Sequence, residues 1–151
     1  MKITQVEDFQ FDIPWREPLR EYMDWAGGQG HRSWLYKVHT DDGLVGLCEG
    51  PDDVRTLAKT LIGRNPFDYM LDDSVWPLQE ALYDLMAQAL HIPIHRLLGR
   101  TQRGKVPVCY WSHHFPPGVL AREAASAADG GFTAHKFKAR PRYSATEQVK
   151  A

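Results

Sequence analysis

The sequence has almost no net charge, hardly any cysteine and no long apolar run, and each shortage removes a class of protein. Eighteen lysines and arginines against 19 acids leave a formal charge of -1. Binding to phosphate backbones or anionic lipid needs a clustered excess of cations, so neither nucleic acid nor a membrane surface is an expected partner. Cys48 and Cys109 are the only cysteines, too few for a disulfide framework or a thiolate zinc site, and they are expected to be reduced thiols. No stretch approaches the ~18 consecutive apolar residues of a spanning helix. The opening MKITQVEDFQFDI carries acids and amides where a signal peptide needs an apolar core, so a cytoplasmic location is expected. What is present, 43% apolar and 25% charged residues in a chain of 151, fits a packed domain of ordinary size.

Periodicity divides the chain in two. Phe9, Phe11 and Ile13 alternate, which predicts a strand from Ile3 to Ile13 with these residues on a buried face. WREPLREYMDWAGGQG, from Trp15 to Gly30, has no sustained period and reads as a long loop. SWLYKVHT and LVGLCEG flank DDG, an Asp-Gly pair suited to a tight hairpin turn. A three-stranded antiparallel sheet follows from these runs. PDDVRTLAKTLIG and SVWPLQEALYDLMAQAL then read as helices, the second with Ser74 as its cap and Pro77 in its first turn. From KVPVCYW the order is strand, helix (PPGVLAREAASAADGG) and strand (FTAHKFKA), a βαβ unit that implies parallel strands. Ser144 and Glu147 have capping-box spacing and start one more helix. Two parallel strands with one covering helix leave apolar surface that parallel sheets normally bury, so the second part is expected to be a truncated piece of a larger sheet or barrel.

HKFKAR, residues 135 to 140, concentrates cations in an otherwise neutral chain. In a strand Lys136, Lys138 and Arg140 face one way and His135, Phe137 and Ala139 the other. Lysines two positions apart have Cα atoms roughly 6.6 Å apart. At an effective dielectric near 20 their charges repel by about 2.5 kcal/mol, which favours a neutral amine on one of them. Such an amine can act as a general base beside a carboxylate. Two other readings stay open: an edge strand decorated against aggregation, and a phosphate patch. Elsewhere, His91 and His95 have the H-x3-H spacing of helical metal ligands, but Pro93 between them interrupts the helix. Asp84 beside an apolar stripe reads as a structural hydrogen-bonding residue, and AGGQG lacks the helix and lysine of a phosphate loop.

DDGLVGLCEG, LIGRNPFD, EALYDLMAQALHIPIHRLLG, VPVCYW and GFTAHKFKA, in that order, resemble the mandelate racemase and muconate lactonizing group of the enolase superfamily over nearly the whole chain. The resemblance implies an α+β capping domain (three-stranded antiparallel sheet plus helices) over residues 1–104. The truncated start of a modified TIM (β/α) barrel follows over residues 105–151. HKFKAR then carries the family's K-x-K motif. Lys138 is the base that takes the α-proton of a carboxylate substrate, and Lys136 is the neighbouring cation that makes its amine easier to deprotonate. His113 and His114 follow the first barrel strand, where they are either substrate contacts or solvated loop histidines. The loop from Arg16 to Gly30 covers the site, with Arg16, Tyr22 and Trp25 as substrate-binding candidates.

The same resemblance implies a magnesium ion held by acids on later barrel strands, and a second catalytic group beyond them. After Lys138 the only acid is Glu147, so this chain by itself is expected to bind no metal and to have no turnover. The implied activity is that of an acid-sugar dehydratase, with racemase or cycloisomerase as variants. A small carboxylate is the partner, and the complete protein is expected to be a homo-oligomer. The contrasting expectation is a non-catalytic remnant or interaction module that keeps the capping domain.

Overall fold

The computed structural model describes residues 1–15, 19–23 (side chains of 20–22 only), 32–51, 54–100, 103–139 and 144–150. In chain order these form β1 (Ile3–Asp12), α1 (Leu19–Met23), β2 (Arg32–Thr40) and β3 (Val45–Gly50). Next come α2 (Val54–Leu61), α3 (Gln79–Leu90) and α4 (Ile94–Leu98), and then β4 (Tyr110–Ser112), α5 (Pro117–Asp129), β5 (His135–Phe137) and α6 (Ala145–Lys150). They separate into two compact units, one of residues 1–14 and 29–102, the other of residues 15–28 and 103–151.

In the first unit β1, β2 and β3 form an antiparallel sheet in sequence order, and α2 and α3 cover one face. The hairpin closes where DDG predicts it: Gly43 takes φ +84°, a conformation only glycine adopts cheaply, and its amide donates to the Thr40 carbonyl. Along α2, Val54, Ala58 and Leu61 are buried at helical spacing, and along α3 so are Ala81, Leu82, Leu85 and Met86. Burying each leucine contributes roughly 2 kcal/mol relative to leaving it exposed. They meet Ile3, Tyr36, Val38 and Cys48 from the sheet. LIGRNPFD explains itself in the turn after α2. The Gly63 amide donates to the Ile3 carbonyl and the Ile3 amide to the Arg64 carbonyl, while Asn65 Oδ1 accepts from the Phe67 amide.

Three expectations fail here. Phe9, Phe11 and Ile13 are exposed (45%, 37% and 41%) rather than buried. β1 carries a bulge between Ile3 and Gln5, after which Val6 and Asp8 pair with the inward Val38 and Tyr36, and Phe9 pairs with Leu35 on the outer face. The long apolar helix starts at Gln79, not Ser74. Asp72 caps a separate 3-10 turn over Asp73–Val75 by accepting from the Ser74 amide, and the Trp76–Pro77 peptide is cis. The predicted loop after Trp15 contains α1.

Asp84 is structural, as expected: it accepts from the Leu47 amide, and Gln88 one turn on donates to the Val45 carbonyl, so α3 is stitched to β3. Both cysteines are free. Burial raises Cys48 to about 11, while Cys109 is exposed. At pH 8 a thiol of that acidity is thiolate in only about one molecule in a thousand, and thiolate is the nucleophile. Iodoacetamide is therefore expected to alkylate Cys48 at least ~100-fold more slowly in the native chain than in urea. Equal native and denatured rates, read by peptide mass spectrometry with Cys109 as internal reference, would contradict that burial.

The second unit is a βαβ unit. β4 and β5 are parallel and joined through α5, but β4 is shorter than the KVPVCYW run. Val106 and Val108 stand exposed, 67% and 70%, with no strand pairing them among the described residues. The capping box is reciprocal: the Glu147 amide donates to Ser144 Oγ, and the Ser144 amide and hydroxyl both donate to Glu147 Oε2. No helix among the described residues is long and apolar enough to cross a membrane.

Candidate active site

The parallel strand pair positions the residues that the sequence singles out for chemistry. β4 and β5 pair Tyr110 with His135, Trp111 with Lys136 and Ser112 with Phe137. The Lys138 amide then donates to the Ser112 carbonyl (3.1 Å), extending the pairing one step past β5. Successive side chains alternate, so Trp111 and Lys136 share one face of the pair. Tyr110, Ser112, His135 and Phe137 share the other, where His135 and Phe137 line a small cavity with Leu120, Ala121 and Ala124 of α5. Lys136 is exposed and Lys138 half-buried. Arg140 lies outside the described residues, as do the substrate-binding candidates Arg16 and Trp25.

His113 and His114 directly follow β4, so they share its carboxyl end with Lys138. They are not solvated loop histidines: their exposures are 4% and 5%. The cause is an aromatic cluster. The His113 ring lies 4.3 Å from that of His114, 5.7 Å from Trp111 and 6.4 Å from Phe115. Tyr22 of α1 closes the cluster, 5.6 Å from Phe115, which is fully buried. Through Phe115, Tyr22 joins the cluster that holds the His113 ring. The arrangement places a half-buried lysine and two buried histidines at one end of a parallel strand pair.

A feature that the sequence pattern hides lies on the α5 face. Glu123 is buried at 7% exposure, and its Oε2 accepts from the Tyr110 hydroxyl (3.2 Å) and from Ser112 Oγ (3.3 Å). Ser112 Oγ lies 2.9 Å from His135 Nε2. The signal was present: Val119, Leu120, Glu123 and Ala127 are the buried positions of α5, and a glutamate inside an apolar stripe marks a carboxylate that needs partners.

No metal site forms from these parts. Among the described residues no three His, Cys, Asp or Glu side chains converge as a group able to hold an ion. His91 ends α3 in a left-handed conformation (φ 54°) and His95 sits in α4, on either side of Pro93. Glu123 accepts from Tyr110 and Ser112, and Glu147 caps α6. These residues do not fit the magnesium ion that the resemblance implies.

No protein-family model matches the sequence. The chain is 26% identical over 165 aligned residues to an N-succinyl-L-Arg/Lys racemase of Bacillus cereus, an alignment spanning 91% of this chain and 44% of the racemase. It is 24% identical over 131 residues to a D-galactonate dehydratase of Xanthomonas oryzae, spanning 69% of this chain and 34% of the dehydratase. Among solved structures, a dipeptide epimerase of Enterococcus faecalis complexed with Mg and L-Leu-L-Tyr superimposes with a TM-score of 0.77 at 24% identity, over 99% of this chain and 49% of the epimerase. The chain spans less than half the length of each.

Proposed function

We propose that this chain, whose homologues are racemases, epimerases and dehydratases of the mandelate racemase and muconate lactonizing group of the enolase superfamily, is the amino-terminal part of an enzyme that takes the α-proton from a carboxylate substrate. Its sheet and helices match the amino-terminal capping domain of enolase-superfamily structures. We assign residues 1–104 to that capping domain and residues 105–151 to the first βαβ unit of the catalytic barrel. The observation that carries the reading is the placement of Lys138 beside Ser112 at the carboxyl end of the strand pair, the end at which barrel active sites lie.

In this assignment Lys138 is the base and Lys136, two residues back along the strand, keeps the local potential positive. His113, His114 and Tyr22 bind the hydroxyls and carboxylate of the substrate and limit water at the reacting carbon, and Arg16 and Trp25 are assigned to substrate binding with them. A site so rich in hydrogen-bonding residues favours an acid sugar, and loss of a β-hydroxyl after proton removal makes the reaction a dehydration; reprotonation instead gives a racemase. Magnesium belongs to the complete protein, held by residues outside this chain, and the 151 residues alone are expected to have no turnover.

The test uses the longer protein that contains these residues, incubated in D2O with magnesium and a panel of aldonic and aldaric acids. Mass spectrometry should find α-deuterium or loss of water with at least one acid, and EDTA should abolish either. Absence of exchange across the panel, with or without magnesium, would overturn the reading in favour of a non-catalytic module.

A further inference from the structure

We propose that Glu123, Ser112 and His135 form a relay that positions Lys136 and Lys138. The lysines' catalytic role rests on the function proposed above; the positioning itself does not. A carboxylate only accepts hydrogen bonds, and a serine hydroxyl has one proton to give. Since the Ser112 hydroxyl donates to Glu123 Oε2, its oxygen is left to accept, and the 2.9 Å contact with His135 requires the proton on Nε2. The relay therefore has one direction, from His135 through Ser112 to Glu123, with Tyr110 adding a second donor to the same carboxylate oxygen.

Its three members come from three elements: Glu123 from α5, Ser112 from β4 and His135 from β5. β4 and β5 are three residues each, so few backbone bonds hold them in register and side-chain contacts carry much of that task. Ser112 is tethered twice, because its hydroxyl meets the His135 ring while its carbonyl accepts the Lys138 amide. Side chains on a strand leave in alternating directions. Fixing His135 on the α5 face thus fixes the rotation of β5 about its own axis and the direction in which its neighbour Lys136 projects. Lys138, held at the backbone by the same serine, follows.

Two measurements on the 151-residue chain test the relay without relying on turnover. In the wild type, long-range imidazole 15N spectra at pH 8 should show His135 as the Nε2–H tautomer, and Ser112→Ala should change its resonances. A His135 carrying its proton on Nδ1 would overturn the proposed direction. Separately, the acylation rates of Lys136 and Lys138 would be read by peptide mass spectrometry relative to the exposed Lys105. His135→Phe keeps an aromatic ring but no donor, and should raise the Lys138 to Lys105 ratio about fivefold, the shift expected from losing one ordinary hydrogen bond. His135→Gln restores a donor and should return the ratio toward the wild-type value. Equal ratios in wild type, His135→Phe and His135→Gln would overturn the positioning role, whatever Lys138→Ala does to activity in the longer protein.

Discussion

In the longer enzyme proposed above, Lys138→Ala is expected to lower kcat by about a thousandfold, within the 10²–10⁴ range that a positioned general base contributes, while KM moves little. The substitution isolates the amine. Lys138 is anchored through its backbone amide to the Ser112 carbonyl, a bond that alanine keeps. The side chain is half-buried at the strand end and makes no hydrogen bond or ion pair that an alanine would leave unmet elsewhere in the described residues. Stability and circular dichroism should therefore match the wild type, and the loss should appear in α-deuterium exchange as well as in product. Full activity in Lys138→Ala would remove this residue as the base and leave the lysine pair as surface decoration.

Gly46→Ala should be the most destabilising single-methyl substitution in the sheet. A Cβ at Gly46 would lie 2.2 Å from the Ala81 carbonyl oxygen and 2.8 Å from Leu85 Cγ. The oxygen belongs to the backbone of α3 and cannot swing aside. Nor can α3 retreat, because Asp84 and Gln88 bind the Leu47 amide and Val45 carbonyl on either side of the same glycine. Overpacking usually costs 1–3 kcal/mol, and a site with no relief should reach about 3 kcal/mol or more. For a unit of this size that is a fall in Tm of about 15 °C. Gly118→Ala in α5 is the control. Nothing lies within 4 Å of its added Cβ, so it should be neutral or stabilising by up to about 1 kcal/mol. A Gly46→Ala protein that melts with the wild type would show that α3 does not approach β3 this closely.

The parts of the fold that were legible in the sequence are those set by local chemistry. Asp-Gly fixes the β2–β3 turn, Ser144 and Glu147 fix the start of α6, and helical spacing marks α2 and the body of α3. The lysine pair was legible because strand alternation places Lys136 opposite His135 and Phe137 whatever surrounds the strand. What escaped depends on contacts between distant segments. The face of β1 cannot be deduced from its own alternation, because the bulge is defined against β2. The start of α3 was masked by two competing signals: Ser74 resembles a cap, but its amide is already held by Asp72. His113 and His114 are polar residues in a loop, and the aromatic cluster of Trp111, Phe115 and Tyr22 around them shows only in three dimensions. The relay through Glu123 was half-visible, since the sequence shows a carboxylate in an apolar stripe without showing Ser112 and His135 beneath it.

The bulge near the start of β1 also governs how the gene can change length. Ile3 pairs with Thr40 and Gln5 with His39, leaving Thr4 as the extra residue. Losing that one codon joins two pairs that are already neighbours, so every later residue of β1 keeps its partner and its face. Losing a codon between Gln5 and Phe9 instead inverts the remainder of the strand, turning Phe9 and Phe11 inward and Asp8 or Gln10 outward. Homologous sequences that differ by one residue in this strand are therefore expected to differ at position 4, where an insertion or deletion is absorbed by the backbone and never reaches the core.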